Sequence, residues 1–130
     1  MPRQHVPTPS LAAPTGPFVA VTEGVGRRLI FVSGQISVDA SGQVVGVGDA
    51  GAQTRQVLEN MQTALAAAGA TLDDVTKVTV FVTNMADRAA IAKVREEYFT
   101  SPHPASTLVQ VSALTRPEYL VEIEAFAVVD

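Results

Sequence analysis

The chain has 130 residues, 47% of them hydrophobic and 17% charged, with 9 basic against 13 acidic side chains and a formal net charge of −4. That size and balance fit one globular domain with a real core, and they exclude a disordered chain and, with no basic run present, a nucleic-acid or anionic-membrane surface. Cysteine is absent, which removes disulfides, thiolate nucleophiles and zinc–sulfur sites, and no apolar run approaches the length of a membrane span, so a soluble cytoplasmic protein is expected.

Residues 1–16, rich in Pro, Thr, Ser and Ala, read as an extended lead-in, and residues 17–130 as a single domain. Phe18 to Thr22 and Arg28 to Ser33 read as strands joined by a Glu23-Gly24-Val25-Gly26 hairpin signal. Ser33-Gly34-Gln35 interrupts the pattern. Ile36 to Val38 resumes it before an Asp39-Ala40-Ser41-Gly42 turn, and Gln43 to Val47 is a short strand or irregular edge. Asp49 is placed to cap a helix in which Val57, Leu58, Met61, Leu65 and Ala68 recur at helical spacing, closed by Gly69. Val75 to Val82 is a strand, with Val78, Val80 and Val82 alternating with Thr79, Phe81 and Thr83. A second helix is expected from an Asp87 cap to about Phe99, with Ile91, Val94, Tyr98 and Phe99 inward, broken by Ser101-Pro102-His103-Pro104.

Two closing strands follow, Pro104 to Val111 and Leu120 to Ala127. In the last, alternation sets Val121, Ile123, Ala125 and Ala127 on one face and Glu122, Glu124, Phe126 and Val128 on the other. Two carboxylates on successive same-side positions of an apolar strand are costly to bury unless something pairs with them or uses them. They point to a polar cleft or an interface. The element order is β-β-β-α-β-α-β-β, an α+β layout with both helices on one face of the sheet.

Read with Gly16-Pro17-Phe18, Phe31-Val32-Ser33-Gly34-Gln35, the Ala52 to Asn60 segment, Val80-Phe81-Val82, Pro104-Ala105 and Val121-Glu122-Ile123-Glu124-Ala125, that order resembles the Rid family of YjgF-type enamine/imine deaminases, over about residues 16–128. The resemblance implies a chorismate-mutase-like α+β unit with a mixed sheet, assembled as a homotrimer with small-molecule ligand clefts between subunits. It also implies that Glu122 matches the glutamate that holds an attacking water, with Ser33 and Gly34 retained beside it. The departures are as informative. Ser106 stands where deaminating members carry the arginine of a Pro-Ala-Arg motif, which clamps the substrate carboxylate through a bidentate pair. Phe18 stands where a tyrosine is usual, and Leu108 where a cysteine is frequent. This pattern is similar to arginine-lacking branches of the superfamily. Standard 2-aminoacrylate deamination is therefore not expected, unless another cation, such as Arg116, replaces the clamp.

Glu122 is the candidate general base or water anchor, with a subunit-interface ion pair as its structural alternative. Glu124 is expected to pair structurally, with Arg55. Ser33 offers a hydroxyl beside a close backbone N–H, Ser106 one hydrogen bond, and His103 a loop imidazole that titrates near neutral pH. No histidine and aspartate pattern accompanies Ser106 to make a hydrolase triad, and His5 and His103 lie too far apart in sequence to suggest a metal site. Gly46-Val47-Gly48-Asp49-Ala50-Gly51 matches the dinucleotide fingerprint by letter, yet Asp49 would set a negative charge where the pyrophosphate binds. Turn glycines and a helix cap explain it better, and no cofactor is expected. Two functions remain: hydrolysis of an imine, enamine or related electrophile, or a non-catalytic trimeric module binding a metabolite or partner. Ribonuclease activity, reported for some relatives, fits poorly with the acidic balance.

Overall fold

A computed structural model describes residues 2–130. In chain order it contains β1 (Gln4–His5), β2 (Thr22–Glu23), β3 (Arg28–Gln35), α1 (Ala50–Ala67), β4 (Val75–Val82), α2 (Arg88–Tyr98), β5 (Ala105–Gln110) and β6 (Val121–Val129). The main sheet runs β3-β6-β4-β5, with β4 and β5 parallel and the other pairs antiparallel. The expected succession of strands and helices is present, but its first strands are placed differently. Only Thr22–Glu23 of the Phe18 to Thr22 region is strand, and it pairs with Gln4–His5 rather than with Arg28 to Ser33. Ile36 to Val38 and Gln43 to Val47 reduce to one bridge, Val38 to Val44. The cause is local: Ser37 turns its hydroxyl onto the Val45 carbonyl (2.6 Å), and Asn60 holds the carbonyls of Ile36 and Val38.

Both helices cover one face of the sheet. Val57, Leu58, Met61 and Leu65 of α1 and Ile91 and Val94 of α2 are buried against Val78, Val80, Val82, Val121, Ile123 and Ala125. Each such side chain contributes roughly 1.5–3 kcal/mol on leaving water. Asp49 starts α1 by accepting the Ala52 N–H (3.0 Å). Gly69, at φ +76°, ends it, and the Ala70 and Gly69 N–H groups return to the carbonyls of Leu65 and Ala66. The start of α2 differs from expectation. Asn84 caps a preceding 3-10 turn, Met85–Asp87, while Asp87 makes no side-chain cap bond. Gln53, buried on α1, donates to the carbonyls of Gly46 and Glu118 and accepts from the Leu120 N–H, fixing the entry to β6.

The lead-in set apart on composition is anchored to the rest at Arg3 and at β1. Arg3 is buried and donates to the carbonyls of Leu72, Thr100 and Pro102. No helix among the described residues is long and apolar enough to cross a membrane.

Candidate functional site

The sheet face away from the helices is open. Leu29 (58% exposed) and Phe31 (67%) on β3 lie there beside Phe126 on β6, and the rings of Phe31 and Phe126 meet edge to face at 5.3 Å. Register places Glu122 opposite Phe81, and Glu124 opposite Thr79, on that same face. The pairing of β3 with β6 slips between Val32 and Gln35, so Ser33 and Gly34 form a bulge with no register partner. The bulge has a purpose visible in the packing. A Cβ on Gly34 would overlap the Glu122 carboxylate, so only glycine lets that carboxylate lie against the β3 backbone. Phe81, Val111, Ala113, Leu114 and Thr115 complete a shallow cavity of about 450 Å³ around Glu122. Desolvation there, and then the charge of Glu124, raises the Glu122 pKa above the ordinary carboxylate range. Glu124 is not paired with Arg55, as the sequence suggested. Arg55 reaches Glu97 instead (2.8 Å), because α1 and α2 share a surface remote from the open sheet face.

A second hollow lies elsewhere. Thr15 to Phe18, α2 and β5 enclose a cleft of about 630 Å³, walled in part by Phe18, Ser106 and Leu108. A parallel bridge from Val19 to Ala105 brings Phe18 against β5. On β5, Ser106 and Leu108 are in register with Val78 and Val80, so they face the helices. Glu122 faces the other way. The candidate residues thus divide into two groups on opposite faces of one sheet: Glu122, Ser33 and Gly34 on the open face, and Phe18, Ser106 and Leu108 at the cleft. His103 is not among the cleft-lining residues, and desolvation together with Arg3 and Arg95 holds its pKa below the usual imidazole value.

Sequence reasoning missed Arg95. It lies four residues after Ile91 on α2, so it falls on the inward stripe, where a charged residue is anomalous. It is 4% exposed, donates through Nη2 to Ser106 Oγ (3.0 Å), and leaves Nε buried without a partner. Desolvation lowers its pKa to about 10. Arg116, the cation named as a replacement, instead bonds Glu118 at the surface (3.1 Å). Among the described residues no cluster of His, Cys, Asp and Glu could hold a metal ion.

The sequence profile of the family described as Endoribonuclease L-PSP matches residues 9–129. The 3-aminoacrylate deaminase RutC of Acinetobacter baylyi is 40% identical over 127 residues, 98% of this chain and 98% of its own. A RutC family protein of Pyrococcus horikoshii is 42% identical over 121 residues, 92% of this chain and 93% of its own. Among solved structures, the Rid-family protein YyfB of Yersinia pestis superposes with a TM-score of 0.90 at 35% identity, over 99% of this chain and 100% of that one.

Proposed function

The chain belongs to the Endoribonuclease L-PSP family, within the Rid/YjgF-type superfamily, and from that premise we propose that it hydrolyses the C=N bond of a small imine, or of an enamine after tautomerisation, at a cleft between copies of the chain. The observation that carries this reading is the seat of Glu122, a carboxylate with a raised pKa laid over Gly34 in a mostly apolar cavity. A carboxylate so placed can hold a water and take its proton as the oxygen bonds to the imine carbon. On attack the C=N π pair moves to nitrogen, which takes the first proton back from Glu122. The adduct's hydroxyl then gives its proton to the freed Glu122 carboxylate and closes the C=O bond. The C–N bond breaks with its electron pair on nitrogen, that second proton passes there from Glu122, and ammonia and a carbonyl compound are released. Ser33, exposed on the bulge, is the candidate for orienting the substrate.

The second half of the cleft comes from Phe18, Ser106 and Leu108 of a neighbouring copy. A ring of three joins unlike faces of successive copies, so groups on opposite sides of one sheet meet at each junction. Ser106 supplies a single neutral hydrogen bond where a bidentate arginine would grip a carboxylate, so 2-aminoacrylate is a poorer substrate here than for an arginine-bearing relative. Against the ribonuclease activity named in the family description, the net charge of −4 offers no basic track for phosphates.

The test is ammonia release from imines formed in situ, comparing imino acids with neutral aldimines, each corrected for the rate in buffer. Acceleration of at least one class is expected. No acceleration across both classes would leave the protein a binding module without chemistry.

A further inference from the structure

Within the single chain, Arg95 is a positive charge taken out of water with no carboxylate beside it. The two ion pairs among the described residues are Arg55 with Glu97 and Arg116 with Glu118, and neither involves Arg95. Its one side-chain hydrogen bond runs to Ser106 Oγ, and its Nε has no partner although it is buried. Removing a guanidinium from water without a counter-ion is destabilising. The cleft it adjoins is also lined by Arg88 and Lys93, with Glu96 as the acidic residue on the wall. The hollow is therefore cationic on balance in a protein that is acidic overall.

We infer that Arg95 and Ser106 together form an anion-recognition pair, which selects small substrates bearing a carboxylate. This rests on the imine-hydrolysis reading and names the substrate class of that site. The geometry is a relay. Arg95 Nη2 donates to Ser106 Oγ, which leaves the serine hydroxyl hydrogen free to donate into the cleft. The charge behind the hydroxyl strengthens that donor and sets a positive potential at the position a carboxylate would take. Arg95 acts through Ser106 and is a positioning residue. The grip is weaker than a bidentate clamp and still discriminates an anion from its neutral isostere.

The test titrates the full-length protein calorimetrically with propionate and with propionamide, which share shape and differ in charge. Propionate is expected to bind at least about tenfold more tightly, in line with a charge-assisted hydrogen bond. Arg95→Met should abolish that preference while the melting temperature holds or rises, because the variant no longer buries an unpaired charge. Arg95→Lys should keep part of the preference. Ser106→Ala, which leaves the helix untouched, should lose it as well, and it decides the matter if Arg95→Met does not fold. Equal binding of the two probes by the parent protein overturns the inference. So does an Arg95→Met or Ser106→Ala variant that keeps the preference, or an Arg95→Met variant that loses assembly and keeps the preference. Imine turnover without propionate selectivity sinks this inference alone. Propionate selectivity with no turnover of any imine sinks the hydrolytic reading alone.

Discussion

Replacing Phe31 with aspartate is expected to give a folded protein of one chain mass and to lower imine turnover at least about a hundredfold. Phe31 is 67% exposed in the single chain, and Leu29, Val109 and Phe126 are also exposed apolar side chains. Leu29, Phe31 and Phe126 make a contiguous apolar patch on the open sheet face, the kind of surface that marks an interaction site. Copies of the same chain can cover it, and a closed ring of three leaves no unpaired face. An aspartate there forces each junction to bury a charge without a partner, which costs several kcal/mol per contact. The isolated fold loses little, since the side chain contributes to no buried layer of its own. Light scattering should read about three chain masses for the parent and one for the variant, with matching circular dichroism. A Phe31→Asp protein that still forms trimers would mean that another surface holds the copies together.

Glu122→Gln carries the second large effect. The amide keeps the size and hydrogen-bonding reach of the side chain and cannot accept a proton. A general base contributes about 10²–10⁴-fold, so turnover should fall by at least about a hundredfold with assembly unchanged. Glu124→Gln is the control, because Glu124 faces the same side but lies opposite Thr79, outside the cavity around Glu122. Equal losses at both positions would assign the effect to the charge of the face rather than to a catalytic water. The same variant reports on the raised pKa. A carboxyl group whose folded-state pKa lies above its unfolded value binds more protons when folded, so it favours the fold at low pH. That contribution is lost as pH rises through the raised value, upward from the ordinary 4.5. Glu122→Gln removes the cost, so its melting temperature should gain on that of the parent as pH rises through this window.

Much of the sheet was legible because its strands obey a period of two. Val78, Val80 and Val82, and Val121, Ile123, Ala125 and Ala127, alternate without exception, and all are buried. The position of Glu122 and Glu124 on the opposite face followed from the same count. The short strands were not legible, because β1 and β2 pair two residues each across a long connection and carry no local period. The irregular stretch from Ile36 to Val47 was misread for a related reason. Hydroxyl and amide side chains, Ser37 and Asn60, take the backbone groups that a neighbouring strand would otherwise bond. Asp87 has the chemistry of a cap, but the turn ahead of it puts Asn84 in that role. At the site, the sequence named residues of both hollows without separating them. Their division depends on the register in which β5 and β6 pair with β4, which sets Ser106 beside Val78 and Glu122 beside Phe81, and register between distant strands leaves no mark in residue spacing. Arg95 was the one member that left a signal unread, a guanidinium on an apolar stripe.

The central claim is that each site takes Glu122 from one copy and the Phe18 and Ser106 cleft from the next. Mixing tests it directly. Glu122→Gln and a cleft-blocking Ser106→Trp variant, each inactive alone, are unfolded together, refolded at equal concentrations and assayed for imine hydrolysis. With random assembly of a three-fold ring, about one junction in four joins two unaltered halves, so the mixture should recover roughly a quarter of the parent rate. A mixture as inactive as its components, with light scattering showing that mixed trimers have formed, would place both halves of the site in one chain and contradict the account.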